Sequence, residues 1–261
     1  MDFVTSADGT RIAFEISGTG PPAVLLGGAG YGARAWAAVA GLLAPARTVY
    51  AVDRRGRGAS GDAHGGYEAA REVADVQAVL ALIDEPVELL GHSSGGLLAL
   101  RVALSGAPVR AMTLYEPPIR VPGGPGGPPG TTERLIELLA AGDREAALTL
   151  FMVAAVGVEE RLLGAVRRSA FWPNAITMAH TLPYDTRLNE ESGLAGLAGL
   201  DVPTLLLLGG RSGERMRTGV ETLAGTLPRC ELEILPDQGH NALREAPDLL
   251  AERVLAAHHS I

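Results

Sequence analysis

The chain has 261 residues, of which 47% are hydrophobic and 20% are charged, and its formal net charge at pH 7 is −8. This composition is typical of a globular protein with a sizeable core, and the negative charge argues against a nucleic-acid-binding surface. The single cysteine, Cys230, excludes an intrachain disulfide, and no apolar run approaches the ~20 residues needed to span a bilayer. Residues 1–8 carry neither a basic leader nor an apolar signal core, so we expect a cytoplasmic protein without a membrane partner.

The first half of the chain predicts strands that alternate with helices. Two segments with alternating apolar and polar residues, 3–6 and 11–17, flank the turn signal Asp8-Gly9 and predict an antiparallel hairpin. Further strands are predicted at residues 22–26, 48–52, 86–90 and 111–115. Helices are predicted at residues 33–43, 67–83 and 97–104. This alternation predicts an α/β fold with a mostly parallel, doubly wound sheet covered on both faces.

The alternation breaks after residue 118. Residues 121–130 consist almost entirely of glycine and proline, which predicts a mobile loop or linker. Three helices are then predicted at residues 133–141, 144–156 and 159–172, with Asp143 as a candidate N-cap. The sheet then resumes with strands at residues 203–208 and 231–235, which are joined by a helix, and the chain closes with a helix at residues 246–257. We therefore predict a core domain of residues 1–118 and 198–261 that carries an inserted helical lid of residues 119–197.

The segment Gly91-His92-Ser93-Ser94-Gly95 lies between a predicted buried strand and a predicted buried helix. This Gly-x-Ser-x-Gly spacing in a strand-turn-helix setting is that of a nucleophile elbow, where small residues let the chain turn sharply and expose the serine hydroxyl. The first amides of the following helix then face a developing oxyanion. Ser93 is therefore the candidate nucleophile, and a glycine-rich helix entry without a catalytic role is the alternative.

Several features resemble the α/β-hydrolase superfamily when they are taken in chain order. They are the glycine-rich loop at 27–30, the Asp-x-Arg-Gly-x-Gly-x-Ser pattern at 53–60, the elbow at 91–95, the helical insertion, and Gln238-Gly239-His240 after the last strand. The resemblance covers nearly the whole chain and implies a triad in the order serine, acid, histidine. Ser93 and His240 match the serine and the histidine of that pattern. The histidine would take the serine proton, and the acid would hold the imidazole and stabilise its charged form.

The glycine-rich loop departs from the family pattern. The family usually has His-Gly where this chain has Gly27-Gly28. The resemblance therefore implies an oxyanion hole made by the backbone amides of Ala29 and Ser94. Because main-chain N–H groups serve as the donors, the loss of the histidine side chain is compatible with such a site.

The acid departs from the family pattern as well. The family commonly places it three residues past the glycine that ends the strand at 203–208, and this chain has Ser212 there. Some members carry the acid directly after the strand that follows the elbow, where this chain has Glu116. A carboxylate at that edge of a parallel sheet can reach the His240 imidazole. We assign the acid to Glu116, and the alternatives are Glu214, Asp237 or a dyad without an acid.

The resemblance implies a serine hydrolase, of the carboxylic ester hydrolase type, that cleaves an ester, lactone or thioester of a mainly apolar small molecule. The alternatives are a non-hydrolytic enzyme of the same fold, such as a lyase, cyclase, perhydrolase or acyl transferase, and a non-catalytic ligand receptor. We expect no cofactor, no metal site and no nucleic-acid partner, and a monomer or homodimer whose partner is its substrate.

Candidate substrate-binding residues lie in the loops and in the predicted lid. They are Gly28, Tyr31, His92, Phe151, Trp172, His180 and Tyr184. For His92 we favour a packing role beneath the elbow and for His180 a surface or lid-core position over a contact with substrate, and exposed positions are expected for His64, His258 and His259. The charged cluster Asp53, Arg54, Arg55 and Arg57 resembles the structural loop of the family, so we expect it to brace the sheet edge.

Overall fold

The structure is a computed structural model that describes residues 1–62, 66–124 and 127–257. The predicted exposure of His64, His258 and His259 lies outside the described residues, and so do residues 125 and 126 of the glycine- and proline-rich segment. The described residues of that segment form turns and irregular backbone between the last core strand before the insertion and the first helix of the insertion.

Eight strands form one sheet in the order β1-β2-β4-β3-β5-β6-β7-β8. Their bounds are β1 Asp2–Thr5, β2 Arg11–Ser17, β3 Pro22–Leu26, β4 Thr48–Val52, β5 Val87–His92, β6 Val109–Tyr115, β7 Thr204–Gly209 and β8 Cys230–Leu235. The β1–β2 and β2–β4 pairs are antiparallel, and every other neighbouring pair is parallel. The predicted mostly parallel α/β sheet is therefore confirmed, and the strands β3, β5 and β7 are buried along their whole length.

Helices cover both faces of this sheet. Their bounds are α1 Ala37–Leu43, α2 Ala69–Leu80, α3 Ser94–Leu104, α4 Thr131–Ala140, α5 Arg144–Leu150, α6 Glu160–Arg167, α7 Phe171–Thr177, α8 Leu182–Glu190, α9 Glu214–Thr226, α10 Ala242–Glu245 and α11 Pro247–Ala257. One hydrophobic cluster joins the sheet to α2, α3 and α9, and a second joins its other face to α1 and α11. Among the described residues, no helix combines the length and the apolar character needed to cross a membrane.

The segment between β6 and β7 contains helices α4 to α8, and we call it the helical insertion. It has its own hydrophobic cluster, centred on Leu135, Leu148 and Trp172. The predicted N-cap is present, because the Asp143 carboxylate accepts a hydrogen bond from the Ala146 amide at 2.9 Å. The helix predicted over 144–156 continues past α5 in π-helical form over Phe151–Val156.

Two features of the insertion differ from the prediction. The single helix predicted over 159–172 is interrupted, so that α6 and α7 are separate helices. Helix α8 was not predicted, because its buried residues include Asp185 and Thr186, whose burial depends on polar partners in the core rather than on apolar periodicity.

The loop after β4 is held by buried polar contacts. The Asp53 carboxylate accepts hydrogen bonds from the amides of Ala33 at 2.6 Å and Ala59 at 2.9 Å. Arg55 donates to both carboxylate oxygens of Asp75 on α2, at 2.6 and 2.7 Å. These contacts tie the loop to the helix layers beside it, which agrees with its predicted structural role.

Candidate active site

The turn between β5 and α3 has the geometry of an elbow. Ser93 has φ 54° and ψ −126°, and its amide donates a hydrogen bond to the Tyr115 carbonyl oxygen at 2.9 Å. Positive φ is uncommon in residues other than glycine and marks local strain. A Cβ atom on Gly95 would lie 2.1 Å from the Leu26 carbonyl oxygen, so only glycine permits this close approach of α3 to β3. The spacing in the sequence therefore has a direct steric cause.

Glu116 occupies the corresponding position on the next strand. The parallel strands β5 and β6 pair His92 with Tyr115, so Ser93 and Glu116 are the next residues of two adjacent strands. Glu116 also has positive φ, at 48°, and together with Ser93 it is one of the two non-glycine residues with positive φ in the described chain. The sheet register thus brings the two backbones to the same edge.

The Glu116 carboxylate contacts His240, as its position on β6 predicted. Glu116 Oε2 lies 2.6 Å from His240 Nδ1, and Oε1 accepts hydrogen bonds from the Gly209 amide at 2.8 Å and from the Ser212 hydroxyl. Burial by itself raises the pKa of the Glu116 carboxyl, but the hydrogen bonds and the charge of His240 outweigh burial and hold the pKa below its usual value. The carboxylate is therefore ionised at neutral pH and placed to orient the imidazole.

The other candidate acids lie elsewhere. Glu214 is an exposed residue in the first turn of α9, and Asp237 is exposed in the turn after β8. Ser212 occupies the position where the family commonly has its acid, and its hydroxyl donates a hydrogen bond to the Glu116 carboxylate. The contact of Ser212 with the acid was not predicted, although the position of Ser212 three residues after Gly209 was a usable signal.

His92 lies beneath the elbow as a buried, neutral residue. Its Nε2 donates a hydrogen bond to the His240 carbonyl oxygen at 2.9 Å, and its ring lies 4.8 Å from that of His240. Burial and the nearby His240 lower the pKa of His92 from 6.5 to about 3. The expected packing role agrees with this placement, and the hydrogen bond also fixes the loop that carries His240.

We expect the depressed pKa of His92 to make folding pH-dependent. The unfolded chain binds a proton at His92 below about pH 6.5, whereas the folded chain does not until about pH 3, so stability falls as the pH decreases through this window. The expected slope is up to about 1.4 kcal/mol per pH unit. Denaturant unfolding at pH 7 and pH 5 measures it, and His92→Gln should show a shallower dependence between these values. An equal pH dependence of the free energy of unfolding in both proteins would contradict a lowered pKa of His92.

The candidate oxyanion donors flank Ser93 on two backbone segments. Ser94 is the first residue of α3, where amides have no acceptor within the helix. On the other side, the loop after β3 is packed against the elbow, since a Cβ atom on Gly28 would lie 2.9 Å from Ser93 Cβ. Ala29 is half-buried and packs against the hydrophobic cluster of the insertion. The role of the Ala29 and Ser94 amides remains a prediction.

Helix α7 covers this loop. A Cβ atom on Gly30 would lie 3.0 Å from Phe171 Cε2 and 3.1 Å from Ala175 Cβ. The Tyr31 ring lies 5.3 Å from the Phe171 ring and 5.7 Å from the His92 ring, and its hydroxyl donates to Asn241 Oδ1 at 3.2 Å. Gly28 therefore lies against Ser93 and His92 lies against His240, while Tyr31 contacts the His92 ring and Phe171 contacts the Tyr31 ring.

The remaining candidate substrate-binding residues have other surroundings. Phe151 and Trp172 are buried in the hydrophobic cluster of the insertion. His180 Nε2 lies 3.9 Å from Asp62 Oδ2, and the Tyr184 hydroxyl donates to the same carboxylate oxygen at 2.8 Å. The structure therefore places these four residues in packing or polar contacts within the insertion and at its junction with the core.

Comparisons with known proteins agree on one family. The family model described as "Alpha/beta hydrolase family" matches residues 23–253. The crystal structure of an alpha/beta hydrolase from Sphaerobacter thermophilus is 39% identical, superposes with a TM-score of 0.91, and covers 98% of this chain and 99% of that one. An esterase from Exiguobacterium antarcticum is 23% identical with a TM-score of 0.80, covers 97% of each chain, and shows the same fold.

Matches to curated sequences are shorter. N-formylmaleamate deformylase from Pseudomonas putida is 36% identical over 124 residues, which are 45% of this chain and 46% of that protein. An uncharacterised protein from Mycobacterium bovis is 36% identical over 96 residues, which are 36% of this chain and 28% of that protein. The chain thus matches less than half the length of either curated relative.

Proposed function

The chain belongs to the alpha/beta hydrolase family, and from this premise we propose that it is a serine hydrolase in which Ser93 is the nucleophile, His240 the general base and Glu116 the acid. The observation that supports the proposal most directly is the contact of 2.6 Å between Glu116 Oε2 and His240 Nδ1. It occurs beside an elbow whose serine has the positive φ expected of an exposed nucleophile. Hydrolase activity itself agrees with the esterase and deformylase among the similar proteins.

The proposed mechanism begins with the orientation of the imidazole. When the His240 Nδ1–H group donates a hydrogen bond to the Glu116 carboxylate, Nε2 carries the lone pair and can accept the Ser93 hydroxyl proton. The alkoxide oxygen then attacks the substrate carbonyl carbon, and the ionised Glu116 stabilises the imidazolium that forms. The low pKa of Glu116 supports this role, because a carboxyl that remained protonated could not balance the positive charge.

The next steps complete an acyl transfer to water. The tetrahedral intermediate places a negative oxygen toward the Ala29 and Ser94 amides. The imidazolium returns its proton to the leaving alcohol or thiol as the carbon–heteroatom bond breaks, which leaves an acyl group on Ser93. Water, deprotonated by His240, attacks this ester, and the acid product leaves as Ser93 regains its proton.

We infer a mainly apolar substrate with an ester, lactone or thioester bond. The aromatic residues near the elbow support this inference, because the Tyr31 ring contacts both the His92 ring beneath the elbow and the Phe171 ring of the insertion. Such surface favours the burial of an apolar acyl or leaving group, while the backbone amides would fix the orientation of its carbonyl group.

A fluorophosphonate probe and a substrate panel test the proposal. We expect the purified protein to incorporate one probe per chain at Ser93, identified by peptide mass spectrometry, and to release acid from esters, lactones or thioesters. A protein that neither incorporates the probe nor releases acid would contradict a serine hydrolase. Tight ligand binding without turnover would instead favour the receptor alternative.

A further inference from the structure

A buried ionic network lies beside the elbow and joins the core to the helical insertion. It contains Arg54, Arg57, Glu72 and Asp185, whose side chains are at most 2% exposed. Arg54 donates to both carboxylate oxygens of Glu72, at 3.0 and 2.7 Å, and Arg57 donates to both of Asp185, each at 2.9 Å. The two cations and the two anions balance each other, which is required for charged groups at this depth.

The network differs from the contacts that merely brace the loop after β4, because it reaches the elbow itself. Asp185 Oδ1 accepts a hydrogen bond from the Ser94 hydroxyl at 2.7 Å and one from Arg54 Nη1 at 3.0 Å. Arg54 Nη1 also lies 3.0 Å from Ser94 Oγ and 3.0 Å from the Gly27 carbonyl oxygen. Arg54 Nη1 therefore contacts both segments that flank Ser93, and the Asp185 carboxylate contacts one of them through the Ser94 side chain.

These two segments are the ones that carry the proposed oxyanion donors. Ser94 supplies one amide, and Gly27 begins the loop that supplies the Ala29 amide. The donors of an oxyanion hole act because they are already aimed at the oxygen before it becomes charged. A displacement of about 1 Å at a positioning contact can lower the rate by about a hundredfold.

We propose that Asp185 and Arg54 are positioning residues for the oxyanion hole. Because Asp185 lies on α8, the geometry of the hole then depends on the packing of α8 against the core. This inference rests on the proposed function. The Asp185 carboxylate holds the Ser94 side chain on the side of α3 that faces the insertion, and Arg54 holds the Gly27 carbonyl relative to it. When α8 is seated, the distance between the two amide donors is fixed. When it is displaced, both Arg54 and Ser94 lose a partner.

The proposal predicts a specific kinetic signature. The four members of the network are buried. None of their described contacts is with Tyr31 or Phe171, the aromatic residues near the elbow that would contact substrate. Loss of a network contact should therefore lower kcat through weaker stabilisation of the transition state and leave KM little changed. A purely structural brace would lower thermal stability and the folded fraction without changing kcat per active site.

Three variants separate these possibilities. Ser94→Ala keeps the backbone amide and removes the hydroxyl that binds Asp185, and Asp185→Asn keeps the side-chain shape and removes the charge. Asp75→Asn is the matched control, because Asp75 is an equally buried carboxylate bonded to Arg55 of the same loop and contacts neither Ser94 nor Gly27 among the described hydrogen bonds. Each protein is titrated with the fluorophosphonate probe, so that kcat refers only to competent sites.

We expect kcat per titrated site to fall about tenfold to a hundredfold in Ser94→Ala and in Asp185→Asn, with KM little changed. Asp75→Asn should lower Tm and keep kcat. Unchanged kcat in Ser94→Ala, a rise in KM alone, or an equal loss of kcat in Asp75→Asn would overturn the inference. If Asp185→Asn does not fold, Ser94→Ala decides by the same criteria. A wild-type protein without probe incorporation or turnover would instead overturn the proposed function, a result distinguishable from all of these.

Discussion

Replacement of Ser93 with alanine is expected to reduce kcat to the background rate, a loss on the order of 10⁶. The variant lacks the hydroxyl oxygen that would form the acyl-enzyme, and the neighbouring Ser94 hydroxyl donates to the buried Asp185 carboxylate instead. The fold should be retained, because alanine has the same Cβ as serine and its amide can still donate to the Tyr115 carbonyl oxygen at the observed φ of 54°. Ester hydrolysis by the purified variant measures the loss, and circular dichroism checks the fold.

Ser105→Ala provides a matched control for this experiment. Ser105 follows the carboxyl end of the same helix, α3, where its hydroxyl donates to the Val102 carbonyl oxygen. This variant should keep the wild-type kcat and take up the fluorophosphonate probe, whereas Ser93→Ala should take up none. Retention of more than a small fraction of turnover by folded, unlabelled Ser93→Ala would eliminate the serine mechanism.

Replacement of Glu116 with glutamine is expected to lower kcat by up to about 10⁴. A glutamine amide has nearly the same shape, but its N–H group can donate a hydrogen bond to His240 Nδ1. The imidazole proton would then lie on Nε2, the nitrogen that must accept from Ser93 in the proposed mechanism. It also removes the negative charge that stabilises the imidazolium. Because the carboxylate is fully buried at 2.6 Å from the ring, water cannot readily take its place. Single-turnover kinetics with a chromogenic ester measure the rate of acylation, the step in which His240 accepts the Ser93 proton.

Glu214→Gln is the matched comparison under the same assay. Glu214 is exposed on α9 and is the other glutamate that the sequence offers as the acid. We expect this variant to retain the wild-type rate. A large loss of kcat in Glu214→Gln combined with a small loss in Glu116→Gln would show that the acid acts from the first turn of α9. The contact of Glu116 with His240 would then be structural.

The core elements were predictable because their physical signals are local. The bounds of β2, β3 and β4 match the predicted segments, since alternation or a short apolar run bounded by turn residues determines them. The helices of the insertion were less predictable. The presence of α8 depends on the buried ion pairs of Asp185 with Arg54 and Arg57, which a single-sequence pattern does not encode.

The candidate site likewise contains contacts that could be predicted from the sequence and contacts that could not. The glycine spacing around Ser93 identified the elbow, and the position of Glu116 after β6 predicted its contact with the imidazole because parallel strands end at one edge. The contacts of Ser212 with Glu116 and of Asp185 with Ser94 were not predicted. They join residues 96 and 91 positions apart through side chains that carry no local motif, so only the three-dimensional structure reveals them.

The contacts around His240 also have a consequence for the order of folding. The imidazole binds Glu116 from 124 positions away, and the backbone of His240 binds His92 from 148 positions away. Contacts between such distant parts of a chain carry a large cost in loop-closure entropy, and they require almost the whole chain to be present. A nascent or refolding chain can therefore complete β3 to β6 and present Ser93 while it still lacks its base. In the proposed mechanism, hydrolysis requires β8 to be paired with β7, because His240 lies in the loop that follows β8. A chain that lacks this strand is therefore expected to be inactive.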